Sequence, residues 1–316
     1  MTYSRPRFAG DKSLHGVGII GLGLMGQRFA QAAEGHPEIR VVAHYDPYAK
    51  SAVGTALATA SAKDLICHPD VECVYIASPP ATHLDLINQA AKAGKAIFCE
   101  KPLCTDVADA HAAVGAVEAA GVAAAVNYPH ATASAALELQ RIVQSGELGP
   151  NVAARLTLRF AEWPRRWQAQ AGDWLRSPTE GGFVREVISH FLYLAGRLFG
   201  PGKLVERSIQ WGPATEEILH CKLDFNGVEL VIDGAVTGDI EDHNSLEVRG
   251  ELAAATLFDW YQLHYGQTQI GEGSAPTSQL DELGLMLDGH DHRLASFEEA
   301  CSVVQLVEAI VLRQTS

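Results

Sequence analysis

Over the first third of the chain, short apolar runs alternate with amphipathic, alanine-rich stretches, a pattern that predicts repeated βαβ units on a parallel sheet. GVGII (16–20), IRVVAHY (39–45), VECVYIA (71–77), KAIFC (95–99) and VAAAV (122–126) predict strands. Helices are expected between them at about 24–35, 48–58, 82–93 and 105–119. Right-handed crossovers then make a doubly wound sheet.

Beyond about residue 127 the texture changes. One helical stretch near 131–145 precedes longer alternating runs: VAARLTLRFAEW, KLVERSIQW, EILHCKLDF, VELVIDGAV, NSLEVRG and AAATLFDW. Such a succession predicts a large, mainly antiparallel sheet with one covered face. Asn226-Gly227 between two of the runs is a hairpin signal. A helix over 181–199 interrupts the strands, and Ser296-x-x-Glu299 is a capping box opening the last helix. With 316 residues, two domains sharing a cleft are expected, a dinucleotide-type α/β domain over 1–126 and an α+β domain over 127–316.

A formal charge of 24 − 38 = −14 repels phosphate backbones and anionic lipid, which argues against nucleic acid or a membrane as partner and for a small polar ligand. The six cysteines, at 67, 73, 99, 104, 221 and 301, form no CxxC pair and read as reduced thiols in a cytoplasmic protein. Arg5, Arg7 and Lys12 precede the apolar run GVGIIGLGLMG, as in a secretion signal. Its five glycines and short length tell against that reading, and residues 1 to about 14 are expected to be a polar tail.

The first strand leads into Gly21-x-Gly23-x-x-Gly26 and then a helix, the context in which such a pattern holds a dinucleotide pyrophosphate. Gly21 permits the tight turn, Gly23 the close approach of backbone to phosphate, and Gly26 the packing of helix on strand; Leu24 and Met25 stand at the helix amino terminus that attracts the anion. Asp46 ends the second strand 20 positions after Gly26, where a carboxylate accepts ribose hydroxyls of NAD and repels the extra phosphate of NADP. Asp46-Pro47 could instead cap a following helix, and Lys50 could pair with a 2′-phosphate, so NADP stays open beside NAD. Ser78-Pro79-Pro80 makes a rigid turn that would border the nicotinamide; His83, just inside the next helix, either joins that border or packs and caps. Glu100-Lys101-Pro102 ends a later strand, placing a candidate acid or base at the crevice where open α/β sheets bind ligands.

Together GLGLMG, Asp46, ASPPATH, Glu100-Lys101-Pro102 and GGFVREVISH resemble, in order and spacing, the glucose-fructose oxidoreductase and inositol dehydrogenase (Gfo/Idh/MocA) family over nearly the whole chain. The resemblance implies an amino-terminal Rossmann domain and a carboxyl-terminal α+β domain with an open sheet, with dimers or tetramers formed through that sheet. It implies hydride exchange between a nicotinamide and a carbinol carbon, usually of a sugar or cyclic polyol. Lys101 matches the family's catalytic lysine, and the Lys101–Pro102 bond is cis in relatives. Glu100 matches a residue near the nicotinamide ribose. Asn127-Tyr128 matches the segment beneath the nicotinamide, bordering cofactor and substrate. Trp174 and Arg176 match the aromatic and basic residues before the GG stretch. Where the family usually has Asp-x-x-x-His, this chain has Glu186-x-x-x-His190, and Leu194 stands where relatives often carry a second aspartate. Both departures weaken the usual polyol reading.

A spacing of four puts Glu186 and His190 on one helix face, able to touch each other and a ligand; the plainer alternative is a surface pair. Two readings of the proton chemistry follow. Lysine in water titrates at about 10.4, so in the first Lys101 carries the proton with help from burial or a nearby cation while Glu186 and His190 orient the substrate. In the second, His190 carries it, Glu186 orients the ring and Lys101 polarises the oxygen. Trp163, Arg165, Arg166, Trp167, Trp174 and Arg176 crowd EWPRRWQAQAGDWLRSP. Tryptophan faces suit sugar rings and arginine forks suit carboxylates, so Arg165 and Arg176 facing the cleft would favour a sugar acid or cyclic diol carboxylate; packing at a dimer interface is the alternative. No metal is expected: Glu-x-x-x-His offers two ligands, and His290-Asp291-His292 reads as a solvated loop. A dinucleotide-sensing regulator and an NAD-dependent glycosidase remain as other classes.

Overall fold

The computed structural model describes residues 14–48, 52–168, 173–236, 238, 242–271 and 276–312; the polar tail before Leu14 and Lys50 lie outside them. The first sheet is built from β1 (His15–Ile20), β2 (Ile39–Tyr45), β3 (Leu57–Ala58), β4 (Cys73–Ile76), β5 (Ala96–Glu100) and β6 (Ala124–Asn127). All are parallel, in the order β3-β2-β1-β4-β5-β6. This is the doubly wound Rossmann arrangement, whose order reverses between β1 and β4. Helices α1 (Leu24–Ala33), α2 (Ala62–Ile66), α3 (His83–Lys92) and α4 (Val107–Ala120) connect the strands.

Residues 52–58 do not form the helix expected at 48–58. Among the described residues of that stretch, Gly54 turns at φ +47°, and Leu57–Ala58 pairs with Ala43–His44 as the edge strand. The helix starts later, at Ser61, whose hydroxyl accepts from Asp64 N at 3.1 Å. Alanine content suggested a helix at 48–58, but the effective signals were the glycine turn and the serine cap.

The second sheet has eight strands: β7 (Ala153–Phe160), β8 (Gly202–Trp211), β9 (Glu216–Phe225), β10 (Val228–Val236), β11 (His243–Arg249), β12 (Ala254–Phe258), β13 (Gln262–Tyr265) and β14 (Thr268–Gly271). Their order is β14-β13-β12-β11-β7-β10-β9-β8, antiparallel except for β7 beside β10. Alternation sets the faces: Ala154, Leu156, Leu158 and Phe160 are buried, whereas Arg155 and Arg159 point to the other side. Asn226 (φ 53°) and Gly227 (φ 90°) form the two-residue turn joining β9 to β10. Helices α5 (Ser134–Ser145) and α6 (Ser189–Phe199) cover the inner face.

Of the last two helices, one packs on α1 and the first sheet and the other lies against α4, α6 and strands of both sheets. α7 (Pro276–Leu287) was not anticipated, because Pro276 and Gly284 obscure the three-residue spacing of Leu280, Leu283 and Met286. Those side chains join Val17, Phe29, Tyr75 and Phe98 in one core, with Phe29 stacked on Tyr75 at 4.2 Å. The capping box of α8 (Phe297–Val311) is formed, Ser296 Oγ accepting from Glu299 N at 3.2 Å and Glu299 Oε2 from Ser296 N at 2.9 Å. Among the described residues no helix is long and apolar enough to cross a membrane.

Gly21 (φ +98°) and Gly26 are fixed by contact: a Cβ on Gly26 would lie 1.9 Å from Gly21 O, and one on Gly21 would lie 2.5 Å from Ala77 O. Gly26→Ala is therefore expected to push α1 off the turn, lowering stability by about 1–3 kcal/mol and dinucleotide affinity by at least about tenfold. Thermal unfolding and NADH titration check this; unchanged affinity would contradict it.

Candidate active site

β1, β4 and β5 end at the same edge of the Rossmann sheet, and three turns meet there. At the first, Gly23 precedes α1 without a side-chain cap, the first turn of α1 carries no acidic residue, and a Cβ on Gly23 would meet nothing within 4 Å. The amides of Leu24 and Met25 are thus placed as in a pyrophosphate cradle. Asp46 Oδ2 accepts from Leu22 N of this turn and Oδ1 from Tyr48 N, each at 2.7 Å, so the carboxylate is held against the glycine turn. These groups fit a dinucleotide.

The second turn, Ser78-Pro79-Pro80, and the third, Lys101-Pro102-Leu103, are tied together by His83. Its ring is fully buried, with Nε2 2.9 Å from Ser78 O and Nδ1 3.0 Å from Pro102 O. Of the two sequence readings of His83, the structure supports packing: the ring braces both turns from behind instead of bordering a ligand. Ser78 Oγ and Thr82 Oγ1 lie 2.7 Å apart. Glu100 is also buried; its Oε1 accepts from Tyr75 OH and, at 2.6 Å, from Asn127 Nδ2, while Asn127 Oδ1 accepts from Gln279 Nε2 on α7. Burial raises the Glu100 carboxyl, and the bonds from Tyr75 and Asn127 partly offset it.

Lys101, reached through a cis Lys101–Pro102 peptide, crosses to the second half of the molecule. Its Nζ lies 3.0 Å from Glu186 Oε2 and 3.0 Å from Glu186 O, with side chains only 11% and 8% exposed. Glu186 sits in a π-helical turn, Val184–Ile188, that leads into α6. Such wide turns recur at functional sites, and here the turn brings both the carboxylate and the main-chain oxygen of Glu186 to the lysine. This corrects the expectation from spacing: among the described residues Glu186 bonds Lys101, not His190.

His190 is held by rings. Trp260 meets it edge-on at 5.2 Å and Tyr128 at 5.7 Å, while Tyr193 stacks on Tyr128 at 4.6 Å. His130 Nδ1 lies 3.3 Å from His190 O. Nδ1 of His190 is enclosed with no partner among the described residues. Burial, then the nearby charges of Lys101, His130 and Arg165, holds His190 well below the usual 6.5, so the ring is neutral at pH 7.

Buried neutral histidines give the fold an acid limit. Burial also lowers His83, and it lowers His130 to about 4. Below 6.5 the unfolded imidazole takes a proton that the folded one refuses, so stability falls as pH drops, over about 6.5 to 4 for His130. Moving from pH 7 to 5 should remove about 2 kcal/mol through His130 alone. Urea unfolding at the two pH values checks this; equal or greater stability at the lower pH would contradict it.

Beside this cluster, Arg165 is buried in tryptophans, its guanidinium 4.6 Å from the Trp167 ring, 5.8 Å from Trp163 and 6.0 Å from Trp260. Of the other residues expected to line a substrate, Tyr128 is here, whereas Trp174 is half-buried and Arg176 exposed on a separate turn, Asp173–Arg176. Sequence reasoning missed His130, Trp260 and Gln279 as site residues. Trp260 is set by a left-handed turn, φ 42° at Asp259 and 73° at Trp260, that local pattern does not announce.

The sequence model of the family described as "Oxidoreductase family, NAD-binding Rossmann fold" (GFO_IDH_MocA) matches residues 15–128. The match spans the first sheet and its helices, from β1 to the residue after β6. The uncharacterized oxidoreductase YrbE of Bacillus subtilis is 30% identical over 190 residues, 58% of this chain and 53% of its own length. Inositol 2-dehydrogenase of Rhizobium meliloti is 29% identical over 189 residues, 58% of this chain and 54% of its own. This chain spans about half the length of these curated relatives. The solved NAD-binding oxidoreductase of Klebsiella pneumoniae superposes with TM-score 0.81 over 94% of this chain and 96% of its own, at 21% identity, and so shares the fold through both sheets.

Proposed function

We propose that the protein is an NAD-dependent oxidoreductase exchanging a hydride with a carbinol or carbonyl carbon of a sugar, polyol or related hydroxylated ring. The observation that carries this reading is the buried Lys101–Glu186 pair, which joins the ligand-binding edge of the Rossmann sheet to the helix bearing His190. The relative named inositol 2-dehydrogenase supports a hydroxylated ring as substrate.

Bound at the glycine turn, NAD supplies the hydride acceptor. Lys101, positioned by Glu186, donates to the substrate oxygen and stabilises negative charge there. His190, neutral, takes the hydroxyl proton at Nε2 during oxidation and returns it during reduction. The second of the two sequence readings is thus preferred, with one change: Glu186 orients the lysine, and aromatic rings orient the histidine. Asp46 favours NAD over NADP by repelling a 2′-phosphate. Assembly into a dimer or tetramer across the outer face of the eight-stranded sheet, in the cytoplasm, belongs to the same proposal; exposed Ile218, in register with Ala235 and so on that face, supports it.

A substrate deuterated at the carbinol carbon should place its label on the reduced dinucleotide. Label found in water instead would contradict direct hydride transfer.

A further inference from the structure

Two buried arginines receive different treatment from this fold. Arg185 is 6% exposed and fully answered: Nε and Nη2 reach Glu308 at 2.7 and 2.8 Å, and Nη1 reaches the carbonyls of Pro178 and Gly181. Arg165 is 8% exposed, and only its Nε has a side-chain partner, the neutral Gln168 Oε1 at 3.0 Å. Among the described residues no carboxylate lies within ion-pair distance of it. Aromatic faces offset part of the cost of burying a guanidinium, yet they leave the Nη fork, which matches a carboxylate in shape and charge, with no carboxylate in contact; Asp242 acts on it only from beyond ion-pair distance.

The position of this arginine points to the reacting end. Trp260, which meets Arg165 on one side, meets His190 on the other, and the charge of Arg165 acts on His190. Lys101 and Glu186 pair with one another, so the carboxylate left to answer Arg165 is that of Asp242, which does not reach it. From these observations, and resting on the oxidoreductase reading, we propose that the substrate carries a carboxylate which pairs with the Arg165 fork, its ring lying against the tryptophans. The substrate class is then a sugar acid or another hydroxylated ring acid. Arg165 is a specificity-determining residue, and the tryptophan box excludes water from the ion pair.

Isothermal titration of the NADH-loaded protein tests this with D-glucuronate and D-galacturonate against their methyl esters and the parent aldoses. The wild-type protein should bind at least one acid at least about tenfold more tightly than its neutral counterparts. Arg165→Met should abolish that preference while leaving NADH affinity unchanged, and Arg165→Lys should restore part of it. Equal or weaker binding of the acids by the wild-type protein, or no binding of any acid, overturns the inference whatever the variants do. So does an acid preference that survives Arg165→Met, or a fall in NADH affinity as large as that in acid affinity, which would assign the arginine to the cofactor. Turnover of a neutral ring alcohol without any acid preference would overturn this inference and leave the oxidoreductase reading standing. Failure to bind NADH would strike the reading itself.

Discussion

Lys101→Met is expected to lower turnover by about a hundredfold to a thousandfold while leaving NADH affinity within a few-fold of wild type. The charged ammonium is the group in this site that reaches from the cofactor edge toward the second half, and preorganised donors of this kind are worth about 10²–10³ in rate. Its removal also deprives the α6 entrance of its tie to the Rossmann sheet. A second effect follows from burial. Glu186, 8% exposed, would lose its ion-pair partner, and breaking a buried pair costs about 3–5 kcal/mol because one charge stays behind. Lys101→Met should therefore unfold at lower temperature than wild type, and adding Glu186→Gln should recover much of the stability and none of the activity. Steady-state rates and thermal unfolding on both variants check the two halves separately. Wild-type turnover in Lys101→Met would rule out both proton schemes.

His190→Asn is expected to reduce turnover by about 10²–10⁴, with NADH affinity retained. Oxidation needs a neutral imidazole to receive the hydroxyl proton, and burial beside Lys101, His130 and Arg165 keeps the ring neutral well below the usual 6.5. The acid limb of the wild-type pH–rate profile should accordingly lie below 6.5, in the range where the fold itself begins to weaken. Rates measured on short exposure separate the two effects. A limb at 6.5 that vanishes in His190→Asn would mean that the ring titrates like a solvated histidine and that its enclosure has been misread.

Much of this site could be read from residue order, because its parts rest on local rules. A strand, a glycine turn and a helix define the cradle, and a strand ending in Glu100-Lys101-Pro102 places the lysine; neither needs a distant partner to be recognised. Where the reading failed, the deciding contact was long-range or the backbone irregular. Glu186 turned to Lys101 because the helix widens at Val184–Ile188, and no three- or four-residue period reports a π turn. His83, a candidate border residue, was claimed by carbonyls on two turns, one of them 19 positions away. Trp260 and His130 reach His190 from 70 and 60 positions away in the chain, and α7 reaches the first sheet from the far end of the chain.

The most direct test is NADH and NADPH formation by the purified protein across aldoses, inositols, sugar acids and cyclic diols, with Lys101→Met run in parallel. The account predicts reduction of NAD by at least one hydroxylated ring compound, faster than reduction of NADP, and lost in the variant. Equal rates in wild type and variant, or dinucleotide binding with no reduction by any of these compounds, would contradict it.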